Sequence, residues 1–420
     1  MRSMHPWLSL ISVRLKSTWA LCIPWRAFRP DTRLPKSTCP SSAWAPTAAW
    51  AGCNRGTWKA ALRTISGQWL LPRKSLKRTR GWTMRYLLLV FFPVLAAALE
   101  TPSLEPIPET DSVVVAAHVA RAKEIAGERF DFLASSFLCR PAENSIAHAI
   151  RTVPGFLDPK APAVEPFQAF DNLYYVGLHA IGTWIVDTGE GLILFDSLNS
   201  EADARNVLLP GMYELGLDPT GLEYVIITHG HFDHYGGASF LGREFGARIA
   251  MSAADWNYLP KDISLPHAVM AGYPEVVQPE RDLVVADGRV FSMGSASVEF
   301  MVTPGHTPGT LSSILTVQDQ GQERKIGMWG GQALPWQEDE LAQMHESLHK
   351  FWHEGKRQGV EGLISTHAWV VGNFELRNRG RDVAENPLRI GRDGFDQIMR
   401  IYDECIKAQF GRIHARHHLD

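Results

Sequence analysis

The chain has little cysteine, few acids where it begins, and none of the loops that cradle phosphates. Five Cys occur in 420 residues, three of them within residues 1–83. That excludes a disulfide-dense secreted scaffold. There is no Gly-x-Gly-x-x-Gly turn and no Gly-Lys-Ser/Thr loop, so the signals for nucleotide phosphates are missing. No Gly-x-Ser-x-Gly elbow occurs to carry a serine nucleophile. Repeats of solenoid length and nucleic-acid modules are also missing. Within 1–83, Asp31 is the single acid against 15 Lys/Arg, a net of +14. The remainder carries −17, so the overall charge of −3 conceals a sharp split.

The basic stretch suggests nucleic-acid or membrane contact at first sight. It shows no heptads and no stable amphipathic period, although it holds eight of the 14 Trp. The run from Met84 to Ala98 has a basic start at Arg85, an apolar stretch too short to span a bilayer, and small residues suited to cleavage. It reads as a signal peptide over 84–99. A signal peptide belongs at an N-terminus, so Met84 is the expected start and 1–83 an upstream extension without an evolved fold. A long targeting extension or an uncleaved anchor are the alternatives. Export implies a secreted or periplasmic location and leaves Cys139 and Cys405 in an oxidising space. A disulfide between them would tie an N-terminal arm to the last helix, and two unrelated buried thiols are the alternative.

After a Pro-rich linker, Asp111 or Ser112 is placed to cap a helix with Val115, Val119 and Ala122 on one face, ending near Gly127. Phe130 to Cys139 reads as a second helix, and residues 140–166 as an arm over the domain. The expected organisation is an arm and linker over 100–169, a domain over 170–412 and a tail over 413–420. Strands are expected at Asn172–Val176, Gly182–Val186, Leu192–Phe195, Tyr224–Ile227 and Arg248–Met251. Helices are expected at Glu201–Leu215, Ala238–Phe245 and Ala253–Tyr258. A second strand series runs Val284–Ala286, Val290–Ser292, Ser297–Thr303, Leu311–Val317, Lys325–Trp329 and, after the helix Leu341–Arg357, Gly362–Ser365. Phe395–Gln409 closes the chain as a helix. Two strand-rich halves with helices imply an α/β fold of two sheets packed face to face with helices outside.

The densest chemistry lies at Thr228-His229-Gly230-His231-Phe232-Asp233-His234-Tyr235-Gly236-Gly237. Four metal-ligand side chains fall within six residues, directly after an apolar strand. His229 and His231, two apart in an extended loop, point the same way and can share a cation. Asp233 and His234 face a neighbouring position. His306 stands between two Pro-Gly turns at the end of a strand, and is the natural third ligand beside His229 and His231. His367 leaves a short apolar strand and can join Asp233 and His234. Three protein ligands per metal leave coordination open for water, as a catalytic site requires. The mixed N/O set suits zinc, with iron and manganese as competitors.

The ordered set His229-x-His231-x-Asp233-His234, His306 and His367 resembles that of the metallo-β-lactamase fold superfamily. The resemblance spans about Phe170 to Gln409 and implies a four-layer αββα sandwich. Asp196, after Leu194-Phe195, matches the family's supporting strand-end acid. Many hydrolases of the superfamily carry a metal-bridging Asp after the strand between the last two histidines. Here that strand ends Trp329-Gly330-Gly331-Gln332-Ala333, with no acid. Such a set resembles the third subclass of class B metallo-β-lactamases, although that subclass usually has serines where this chain has Gln332 and Ala333. The resemblance implies an exported hydrolase with two Zn2+ ions. A metal-bound hydroxide would attack an amide or ester carbonyl, and Asp233 would ligate and orient or deprotonate the nucleophile. The alternatives are another lactone, ester or thioester as substrate, and a metal-binding protein without catalysis. The expected partner is a small-molecule substrate, with no nucleic acid and no membrane beyond export.

Other residues carry weaker signals. His345, His349 and His353 recur every fourth residue on one helix and read as a solvated face, with a surface metal as the sharper alternative. Trp256, Tyr258 and Trp336 are candidates for a substrate groove or for core packing. Tyr235 is a candidate to reach substrate, and His179 to line the pocket or serve a structural role.

Overall fold

Adjacent residues in the central strands alternate between two separate cores. Trp184 and Val186 face one core while Ile185 faces the other, and Phe195 and Leu194 divide in the same way. A strand buried on both faces reads as a continuous apolar run, which is why these segments stand out. The computed structural model describes residues 111–417 apart from 136, 142–152, 157, 263, 271, 274 and 381–384. The expected upstream extension over 1–83, the expected signal peptide over 84–99 and the expected linker lie outside the described residues.

Seven strands form the first sheet in chain order: β1 (Phe167–Phe170), β2 (Leu173–Gly177), β3 (Gly182–Asp187), β4 (Leu192–Phe195), β5 (Leu222–Ile226), β6 (Arg248–Ser252) and β7 (Leu283–Val285). Pairing is antiparallel from β1 to β4 and parallel from β4 to β7. The second sheet has five strands: β8 (Val290–Met293), β9 (Ala296–Val302), β10 (Leu311–Asp319), β11 (Gln322–Met328) and β12 (Gly362–Ile364), in the order β12-β11-β10-β9-β8. Only β11 and β12 pair in parallel there. Trp184, Phe195 and Ile226 of the first sheet share a core with Phe300, Leu315 and Ile326 of the second. Leu208, Met212, Phe240 and Leu241 cover the other face of the first sheet. Phe351 and Phe395, from the helices Glu338–Gln358 and Gly391–His417, extend the shared core beyond the second sheet. The layers are those of an αββα sandwich.

Several local expectations need correction. Val284–Ala286, grouped with the second strand series, is β7 and pairs with β6 in the first sheet. Asp282 holds it there by accepting from the Ile249 N–H at 3.0 Å, and Trp256 Nε1 donates to Leu283 O at 2.7 Å. The helix expected over Glu201–Leu215 is interrupted by a π-helical turn at Ala204–Leu208. Pro210 follows that turn and has no N–H for an α-helical bond back to the previous turn. Phe130–Cys139 yields only the short helix Asp131–Ser135. β1 was not anticipated.

At the N-terminal end, Ser112 is the cap of the helix Val113–Ala126, and its hydroxyl accepts from Val115 N at 3.3 Å. Asp111 instead pairs with Arg412 of the closing helix at 2.9 Å. Cys139 and Cys405 form a disulfide across 266 residues of sequence. The arm is thereby fastened to the closing helix. No helix among the described residues is long and apolar enough to cross a membrane.

Candidate metal centre

Every ligand of the centre leaves the end of a strand. β5 delivers Thr228 to His231, β9 leads to His306, and β12 leads to His367. Loops at strand ends are held by the sheet behind them, so their side chains are positioned before any ion binds. After His231 the chain enters a short helix, Phe232–Tyr235, which sequence reading missed. This turn carries Asp233 and His234 round to a second position. Gly236 and Gly237 permit it: a Cβ at Gly236 would stand 2.0 Å from Asn199 O, and one at Gly237 2.4 Å from Ser197 O.

Two groups result. His229, His231 and His306 bring one ligand atom each within 4.8 Å of one another, and so do Asp233, His234 and His367. In the first, His306 Nε2 and His229 Nε2 are 3.1 Å apart. In the second, Asp233 Oδ2 lies 3.5 Å from His234 Nε2 and 3.4 Å from His367 Nε2. The groups adjoin, with the His229 and His234 ring centroids 3.7 Å apart.

The outer ring nitrogens show which inner atoms are free to coordinate. His234 Nδ1 donates to Asp196 Oδ2 at 2.6 Å, His367 Nδ1 to Ala180 O at 2.7 Å, and His306 Nδ1 to Ala333 O at 3.1 Å. His229 Nδ1 donates to Thr228 Oγ1 at 3.2 Å, and that hydroxyl donates to Asp196 at 2.8 Å. With these four Nδ1 atoms protonated, their Nε2 atoms present lone pairs inward, as in metal-binding histidines whose outer nitrogen is hydrogen-bonded. His234 Nε2 is buried with no hydrogen-bond partner. Such an orphan costs free energy unless something binds it, and a cation answers that need. The donor set fits divalent metal.

Burial, then the neighbouring histidines, hold His229 and His306 well below the ordinary imidazole pKa. Burial and His234 also lower His367. Burial works against a proton on His234, but Asp233 and Asp196 outweigh it and raise that ring. Burial likewise opposes the Asp233 charge, and His234 and His367 overcome it, so the carboxyl sits below its ordinary value.

Two buried aspartates hold the loops. Asp196, in the left-handed region at φ 63°, accepts from Thr228 N at 2.7 Å and Thr366 Oγ1 at 2.7 Å besides Thr228 Oγ1 and His234. This is the supporting role the family resemblance implied. Asp255 accepts from Gly230 N at 2.9 Å, Thr307 Oγ1 at 2.7 Å and Gly309 N at 2.7 Å. It joins the His229–His231 loop to the His306 loop. Sequence reading missed Asp255, which looks like an ordinary first-turn acid of the helix Ala253–Tyr258.

All six ligands line one cleft of ≈ 120 Å³, walled by Phe137, Phe156, Trp369, Val370, Gln332 and Ala333. Phe137 and Phe156 meet Trp369 edge-on at 5.1 and 6.3 Å. Trp256 and Trp336 do not line this cleft, whereas Tyr258 stands beside the His231 ring at its edge. Trp256 is buried in the core, Trp336 packs against the shared core, and Tyr258 OH lies 3.4 Å from His231 Nε2. Tyr235 is buried and donates to Asp262 at 2.7 Å, so it does not reach a substrate. His179 lies outside the cleft lining and packs on Phe374 with centroids 4.9 Å apart.

The sequence profile of the Metallo-beta-lactamase superfamily matches residues 177–316, which include five of these six residues, His229, His231, Asp233, His234 and His306. An uncharacterized protein of Aquifex aeolicus is 33% identical over 170 residues, 39% of this chain and 74% of that protein. The chain belongs to the metallo-beta-lactamase superfamily. A hydroxyacylglutathione hydrolase of Acidiphilium cryptum is 36% identical over 88 residues, 21% of this chain and 28% of the relative's length. In fold, the superfamily member resembles BJP-1, a subclass B3 metallo-beta-lactamase of Bradyrhizobium japonicum. The TM-score is 0.50 at 23% identity, over 64% of this chain and 98% of that one.

Proposed function

We propose that this chain is an exported hydrolase that uses two zinc ions to open the amide of a β-lactam-like ring or a related ester. The observation that carries the reading is the pair of three-ligand groups facing one cleft. Bound metal there would supply a water of pKa about 7 and polarise a carbonyl. His229, His231 and His306 would hold one ion, and Asp233, His234 and His367 the other. Asp233 keeps its carboxylate ionised against burial, so it can ligate and also take the proton of the attacking water. Phe137, Phe156 and Trp369 supply an apolar wall that excludes bulk water and seats the body of a small substrate. The disulfide supports export, since such bonds persist in oxidising compartments.

The exit of β11 favours a site without a bridging carboxylate. A Cβ at Gly330 would stand 2.0 Å from Leu311 O, and one at Gly331 2.5 Å from His306 Cβ. Neither position accepts an acid in this backbone. Gln332 lines the cleft with its amide held in a bonded network with Ser365 at 2.8 Å, Trp329 O at 3.0 Å and Tyr402 at 2.6 Å. A second reading, hydrolysis of another ester, lactone or thioester, is favoured by the hydroxyacylglutathione hydrolase similarity. The test is a metal count on the purified protein, followed by assays with a chromogenic β-lactam, a lactone and a thioester. Two zinc ions and β-lactam turnover are expected. Turnover of the thioester or lactone alone selects the second reading. Bound metal without any turnover would make this a metal-binding protein.

A further inference from the structure

Away from the cleft, His345 and His349 occupy one face of the helix Glu338–Gln358, one turn apart. The helix Gly391–His417 presents Asp403 to both. Asp403 Oδ1 lies 2.7 Å from His345 Nε2 and 3.1 Å from His349 Nε2, and the two Nε2 atoms are 3.2 Å apart. A tetrahedral zinc ion with bonds of 2.0–2.1 Å sets its ligand atoms about 3.3 Å from one another. The His229–His306 pair of the cleft shows a similar Nε2 separation, 3.1 Å. His353, the third histidine of the fourfold repeat, is exposed and takes no part in the group.

The three donors are also held in place. The His345 ring packs edge-on to Phe410 at 5.9 Å, and His349 lies against Trp352 at 5.7 Å. Lys407 Nζ bonds Asp403 Oδ2 at 2.6 Å, leaving Oδ1 turned to the histidines. The disulfide at Cys405 anchors the same stretch of helix. The side chain of His349 is 51% exposed, so an ion has a route in from solvent.

We propose that His345, His349 and Asp403 form a peripheral site for Zn2+ or another late first-row divalent ion, clamping the helix Glu338–Gln358 to the helix Gly391–His417. The site supplies two imidazoles and one carboxylate, a mixed set that suits such ions. Its role is structural: the clamped helix carries Tyr402, which holds Gln332 in the wall of the cleft.

The test compares zinc content in the full chain and in His345→Ala/His349→Ala. Both proteins are equilibrated with Zn2+, passed through a desalting column and analysed by mass spectrometry of the metal. The double variant is expected to hold one zinc fewer per chain, and to gain less in Tm when zinc is added. Being a difference, the count holds however many ions the cleft takes and whether or not the chain is a hydrolase. His349→Ala alone, a change at a half-exposed residue, gives the same comparison if the double variant fails to fold. Equal zinc in the variant and the parent overturns the proposal, leaving two histidines hydrogen-bonded to Asp403 with no metal.

Discussion

The two ligand groups of the cleft are built differently, and two buried aspartates support them unequally. The His229–His231–His306 group is all imidazole, and Asp255 holds it only through the backbone and Thr307. The Asp233–His234–His367 group contains a carboxylate, and Asp196 bonds directly to the His234 ring. Asp196 therefore sets a ring's tautomer and direction, whereas Asp255 sets the distance between two loops. Asp196 also reaches the first group through Thr228 and His229, so it serves both. Loss of Asp196 should disturb both groups, and loss of Asp255 mainly the geometry of one.

Removing a ligand breaks the comparison most severely. His229→Ala and Asp233→Ala are each expected to lower hydrolysis by about 10³-fold or more, since loss of a single oxyanion donor already costs 10²–10³. Each should also lower bound zinc, read by metal analysis of the folded variant. Full activity in either would remove that residue from the site. Asp196→Asn comes next. Its amide can still face the ring but cannot accept from all four donors, and an outer-shell loss of this kind lowers metal affinity by about 10–100-fold. A chelator titration monitored by residual zinc measures this. Unchanged affinity would show that the backbone alone orients His234.

The ligands were legible in the sequence because each follows a short apolar strand at a punctuated turn. His306 lies between two Pro-Gly pairs, and His367 directly follows Ile364-Ser365-Thr366. The strand-helix alternation likewise yields an αββα sandwich. What sequence did not disclose is carried by contacts distant along the chain. Asp255 binds partners 25, 52 and 54 residues away, two of them backbone N–H groups that have no sequence signature. Phe137 falls in a stretch that reads as a second helix and Phe156 in one that reads as a connecting arm, and they become a cleft wall because the disulfide fastens the arm and both rings meet Trp369 edge-on. β7 went to the wrong sheet for a similar reason, since its bonds to β6 depend on Asp282 and Trp256.

Asp255 provides the smallest and most selective test. Burial pushes its carboxyl up to about 6 despite its three donors, against an ordinary value of 3.8. The folded state therefore holds this proton more tightly than the unfolded chain does. Stability from this group is greatest below pH 3.8 and declines as pH rises to about 6, beyond which it is flat. Two units correspond to roughly 3 kcal/mol as an upper bound. Asp255→Asn has no such titration, and its amide N–H₂ must face at least one of the donors now bonded to the carboxylate. At pH 7 the variant is expected to lose about 1–3 kcal/mol through that unmet donor. Between pH 7 and pH 5 the gap should widen in favour of the parent, because only the parent gains from protonation. Urea melts of both proteins in chelator, at the two pH values, measure the change while cancelling the histidines they share. A gap that narrows on acidification would mean that the Gly230, Thr307 and Gly309 donors, not burial, dominate the carboxylate, making Asp255 as direct a support for its group as Asp196 is for the other.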